Sequence, residues 1–153
     1  MFDPDTFLST TVTEANSTTV VPVPEGEYVA IIGKPKIRQF SGTKDPGALY
    51  TSLDLPCEID LAGMYPAVAE QLGRDKATVR YSSMLDLTDS GGLDMGKGRN
   101  VGLGRAREAA GLNTPGQPFS FAMFEGRAVK VLVKHRVDGD RIYDEVKAIA
   151  KLV

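Results

Sequence analysis

The segment AVKVLVKHRVDGDRIYDEVKAIAKL, residues 128–152, decides the fold class. Val129, Val131, Val133 and Val137 alternate with Lys130, Lys134 and Arg136, and beyond Asp138-Gly139-Asp140 the apolar positions Ile142, Val146, Ala148 and Ala150 continue the pattern. A period of two sends successive side chains to opposite faces of a strand. The Asp-Gly pair supplies the positive φ that a tight antiparallel connection needs. The segment predicts a hairpin, Ala128 to Val137 and Ile142 to Leu152, with its aliphatic side chains inward.

The same period recurs upstream. Leu49, Thr51, Leu53, Leu55, Cys57 and Ile59 alternate with Tyr50, Ser52, Asp54, Pro56 and Glu58, and Val79, Tyr81, Leu85 and Leu87 with Arg80, Ser82, Met84 and Asp86. A first strand is expected from Tyr28 to Arg38, with Val29, Ile31 and Ile37 inward and Lys34, Lys36, Arg38 and Phe40 outward. Gly33 and Pro35 mark a bulge or an unpaired edge within it, where the parity can slip by one. The run from Ser41 to Gly47 reads as a turn, and Pro66 and Gly73 bracket a short helix with Val68 and Leu72 on one face. After a flexible loop from Thr88 to Gly98, Asn100 is the expected cap of a helix to Ala110 that gathers Leu103, Ala106 and Ala110 and stops at Gly111.

The resulting order is strand, strand, strand, helix, strand, strand. It predicts an all-β fold with one or two short helices, a closed five-stranded Greek-key OB-type barrel with a helix between strands 3 and 4. Residues 26–153 are the expected barrel domain. Residues 1–25, rich in Thr, Ser, Val and acidic groups and ending Val21-Pro22-Val23-Pro24, are the expected N-terminal strap, extended and without helical periodicity.

Composition narrows the function. At 153 residues, 42% apolar and 25% charged, the chain suits one globular domain. It has neither a bilayer-length apolar run nor a recognisable leader. One cysteine and one histidine give neither a disulfide nor a zinc site of the usual ligand count. No metal or cofactor is expected, and a reducing intracellular setting fits. Enzyme motifs fail on inspection. The run Gly96 to Gly104 lacks the residue order of a phosphate loop. His135 lies on an apolar strand face, Cys57 has inward parity, and Asp86, Asp89 and Asp94 do not match a calcium loop.

The positive signal is the outward face. A net charge of −2 gives no general attraction for nucleic acid, so distribution decides. Lys34, Lys36, Arg38, Lys130, Lys134, Arg136 and Lys147 share outward parity with Phe40, Tyr50 and Tyr143. Cations neutralise phosphates and rings stack exposed bases, which is what a single strand requires. Arg80 joins this candidate set, and so does Tyr81, although its parity points inward.

The stretches SMLDLTDSGGLDMGKGRNVGLGR, residues 83–105, and VLVKHRVDGDRIYDEVK, residues 131–147, resemble a family of small tailed-bacteriophage single-stranded DNA-binding proteins of replication and recombination. The likeness runs from Glu25 onward and is strongest in the last half. It implies an OB fold with a basic, aromatic-lined groove, a non-catalytic and sequence-independent role, and a place in the host cell cytoplasm. Single-stranded DNA is the implied partner, with phage or host replication proteins beside it, no membrane, and room for a homo-oligomer. Many such proteins recruit partners through an acidic C-terminal tail. This chain ends Lys151-Leu152-Val153 instead, leaving Asp3, Asp5 and Glu14 of the strap as the comparable acidic segment. The alternative is a phage structural or assembly protein that uses the same strands for protein contacts.

Overall fold

The computed structural model describes residues 1–18, 20–42, 44 and 47–152. Thr43, Asp45 and Pro46 of the expected turn lie outside these, as do Thr19 of the strap and Val153. The chain is mostly β: a six-stranded antiparallel sheet of β1 (Gly26–Ile32), β2 (Lys36–Ser41), β3 (Leu49–Asp60), β4 (Lys76–Leu85), β5 (Ala128–Asp138) and β6 (Arg141–Ala150). Among the described residues four short helices accompany it, α1 (Pro4–Leu8), α2 (Leu61–Met64), α3 (Pro66–Leu72) and α4 (Val101–Ala109), with a 3-10 turn at Phe121–Phe124.

The expected first strand is two. Ile32 faces Cys57 and Lys36 faces Asp54, so Gly33, Lys34 and Pro35 span the distance that Leu55 and Pro56 cover on β3. The extra residue reverses the parity. In β1 the buried side chains are Tyr28, Ala30 and Ile32 rather than the expected Val29 and Ile31, because Ile32 must share the face of its buried partner Cys57. Beyond the break Ile37 lies opposite the buried Leu53 and so keeps the expected inward parity, but it overhangs the core and is 50% exposed.

β3 is the hub. It pairs with β4 along one edge, and along the other with β2 and then β1. β1 continues to β5, and β5 to β6. β4 and β6 come into contact, but no ladder joins them among the described residues, so the sheet is open there rather than a closed barrel. α4 packs against both strands and buries Leu103, Ala106 and Ala109. Gly102 lets it come close: a Cβ there would collide with the Ser83 hydroxyl, and the Tyr81 hydroxyl donates to the Gly102 carbonyl at 2.7 Å.

Three further expectations give way. Val133 faces Val146 while Leu132 faces Ala148, so a bulge at Lys147 shifts β6 and buries Val146 and Ile149. Ala148 and Ala150 turn outward, and Val137 and Ile142 extend past the core at the hairpin tip. Asn100 precedes α4 but caps nothing. With φ of 52° its side chain accepts from the Asp86 amide and donates to the carbonyls of Asp86 and Asp94, pinning both ends of the 86–100 loop. Asparagine suits this because its short amide tolerates left-handed backbone. The N-terminal segment contains a helix after all: Asp3 caps α1 by accepting from the Asp5 amide, with Pro4 in the first turn.

The end of the strap is held firmly. Val23 is fully buried, its amide donates to Asp144 Oδ2 at 2.7 Å, and its carbonyl is 2.7 Å from His135 Nε2. Glu25 accepts from the His135 amide, and Arg74 donates to the Val21 carbonyl. His135 is thus a half-buried anchor for the strap. The core gathers Ile32, Leu53, Leu55, Ile59, Val79, Val129, Val131 and Val133 from the strands, Leu61 from α2, Val23 from the strap and Phe124 from the 3-10 turn. Phe124→Ala is expected to cost about 3–5 kcal/mol by removing a fully buried ring that little can refill. Urea unfolding of the two proteins checks this.

Candidate nucleic-acid interface

The one-residue register mismatch at the break between β1 and β2 sets the outer face of the sheet. Beyond it Lys36, Arg38 and Phe40 share a face, and register carries that face across three strands: Lys36 beside Asp54 and Ser82, Arg38 beside Ser52 and Met84, Phe40 beside Tyr50. Arg80 stands opposite Pro56 on the same face. Arg38 and Arg80 are therefore diagonal neighbours of Asp54, within reach of long side chains. Arg38 Nε lies 3.3 Å and Arg80 Nη1 3.7 Å from Asp54 Oδ2. Ser82 and Ser52 donate to Oδ1 at 2.8 and 3.2 Å.

The hairpin supplies the facing wall. Arg136 stands opposite Tyr143 and Lys134 opposite Glu145. The Arg136 guanidinium sits 4.9 Å from the Tyr143 ring centre and 3.5 Å from a Glu145 oxygen. Between this wall and the β2-β3-β4 face runs a groove of about 930 Å³, lined by Lys36, Arg38, Arg80, Arg136 and Lys147, by Asp54, Asp144 and Glu145, and by Tyr143, Pro56, Met84 and the serines 82 and 83 among others. Five cations against three carboxylates leave the groove positive in a chain whose net charge is −2. Lys36 and Lys147, on opposite sides, form no ion pair among the described residues.

Seven of the residues expected to contact a strand thus line one groove: Lys36, Arg38, Arg80, Tyr81, Arg136, Tyr143 and Lys147. Tyr81 contributes little surface. It is 7% exposed and its hydroxyl is committed to Gly102, and burial pushes its phenol above the ordinary range. Phe40 and Tyr50 extend the floor beyond the groove as a stacked pair, ring centres 6.0 Å apart, with the Arg38 guanidinium 4.9 Å from the Phe40 ring. Gly42 makes room for this pair, since a Cβ there would collide with the Tyr50 ring. Lys34, Lys130 and Lys134 do not line the groove. Lys34 falls in the break, Lys130 pairs with Glu27 at 3.8 Å, and Lys134 stands outside beside Glu145.

Asp54 was not among the sequence candidates. The available signal was a carboxylate of outward parity flanked on its face by Ser52 and Pro56, on the strand next to a basic one. Its neighbour Ser52 is also buried, so this outward face is partly covered by its own side chains. Arg99 of the glycine-rich run pairs with Asp94 at 3.8 Å. No known protein family matches the chain, and comparison with curated proteins finds no similar sequence.

Cys57 is fully buried on the inner face of β3, and desolvation pushes its thiol from 9.0 up to about 12. A thiol whose folded value is raised stays protonated where the unfolded chain ionises. Its contribution is therefore fully present below pH 9 and is lost as pH rises toward 12. In the native protein Cys57 is expected to resist a thiol reagent at pH 8 and to react fully once denaturant is added, and a timed modification assay reads both states.

Proposed function

We propose that this protein is a non-catalytic OB-type domain that binds single-stranded DNA in the groove between β4 and β6, with little sequence preference. The fold reading draws on the pairing scheme. β1 and β2 act as one kinked strand that pairs with β3 and β5, β4 follows β3, β6 follows β5, and α4 fills the gap between the ends. This order supports reading the sheet as a partly open five-stranded Greek-key barrel, a fold whose strand 2–3 face and 4–5 loop form the usual oligonucleotide site.

The observation that carries the function is the groove itself: five cations drawn from β2, β4, β5 and β6 converge there with Tyr143 in an acidic chain. Convergence from four strands is more than the edge charges of a β-protein supply. Phosphates would be neutralised along the groove, and bases would stack on Tyr143 and on the Phe40–Tyr50 pair. The resemblance to bacteriophage single-stranded DNA-binding proteins agrees with this, and would imply a role in phage replication or recombination in the host cytoplasm.

A second reading, a phage structural or assembly protein, is favoured by apolar surface at the other end. Phe2, Phe7 and Leu8 are exposed around α1, and a cleft of about 500 Å³ opens between the strap and the hairpin at Val20, Val21, Ile142 and Tyr143. Titration of a labelled oligodeoxythymidylate separates the two. Binding in the groove predicts affinity that falls with salt at a logarithmic slope of about −3, for four or five phosphates at about 0.7 each. The Lys36→Ala/Lys147→Ala double variant is expected to bind more weakly, with the slope reduced by about 1.4. Lys130→Ala/Lys134→Ala, outside the groove, is expected to keep the parental slope. No binding at low salt sinks the proposal in favour of the second reading.

A further inference from the structure

Asp54 is out of place in an anion-binding groove. Its side chain is only 6% exposed on the floor, where a carboxylate repels phosphate and is costly to desolvate. Its partners account for it. Ser52 and Ser82 donate to Oδ1 and Arg38 donates to Oδ2, with Arg80 ion-paired to Oδ2 at 3.7 Å, so both carboxylate oxygens are held.

We propose that Arg38 and Arg80, held by Asp54, form one phosphodiester-binding station at the centre of the groove, with Asp54 a positioning residue that does not touch the ligand. This rests on the reading of the groove as a single-strand interface. The two arginine side chains remain 55% and 64% exposed. Among the described residues Arg38 donates only its Nε–H, leaving both Nη groups uncommitted. Its guanidinium is fixed from two sides, by Asp54 and by the Phe40 ring. The three groups together keep one positive charge. An arginine already held loses less freedom on gripping a phosphate than a free one, and its planar fork matches two phosphate oxygens.

The proposal reverses the sign that simple electrostatics gives. Asp54→Asn removes a negative charge from the groove and by charge alone should tighten binding. Loss of positioning should weaken it instead, by about fivefold, and make the salt slope shallower by about 0.7 to 1.4, one or two phosphates. Arg38→Lys keeps the charge and gives up the fork. It is expected to weaken binding to a similar degree, and it carries the test should Asp54→Asn unfold in a parallel thermal melt. With an oligonucleotide of uncharged methylphosphonate backbone, the parent and both variants are expected to bind alike. Binding of Asp54→Asn as tight as or tighter than the parent, or of Arg38→Lys equal to it, would overturn the station. If the Lys36/Lys147 variant still binds weakly in that case, the groove stands without it. A parent that fails to bind at low salt removes both.

Discussion

The structure depends on one mismatch of register, three residues against two, where Gly33, Lys34 and Pro35 pass Leu55 and Pro56. Pro56 has no N–H, and in a strand the N–H and C=O of a residue point to the same side. Its carbonyl accepts from the Gly33 amide at 2.7 Å, so the missing donor faces the break. The proline in the hub strand therefore costs no ladder bond, because the neighbouring strand is interrupted where that bond would have been. The break also frees the first strand to pair with β3 beyond it and with β5 before it, and thus to curl the sheet.

The groove follows from that curl. It brings the basic face of β2, β3 and β4 toward the β5–β6 hairpin without joining the two by a ladder, and α4 fills the space below. An unpaired seam between β4 and β6 leaves polar lining and room for a ligand where a closed barrel would have hydrogen bonds. The bulge at Lys147 works the same way on the opposite wall. One extra residue lets Val146 and Ile149 both reach the core and turns Lys147 to the groove.

The strap and the hairpin are one unit through Asp144 and His135, which hold the backbone of Val23 from β6 and β5. Tyr143 and Asp144 border both the groove and the cleft beside the strap. The strap thus braces the wall that offers Tyr143, linking N-terminal packing to the shape of the candidate site.

The sequence by itself determined the type and order of the main strands, of α3 and of α4, but not the β1–β2 break, α1 or α2. Alternation of apolar residues marked β3, β4 and β5, the Asp-Gly turn marked the hairpin, and glycine and proline marked α3 and the end of α4, because these are local signals of one or two turns of backbone. It also named all five of the groove's cations, among others that lie outside it. Only the tertiary structure decided which face of β1 and of β6 is buried, since one bulged residue inverts a period of two and parity is fixed by the partner strand. The tertiary structure alone separated Lys36, Arg38, Arg136 and Lys147 from Lys34, Lys130 and Lys134, which share their outward parity on the page. It alone revealed Asp54 beneath two arginines, for diagonal neighbours across three strands have no signature along the chain.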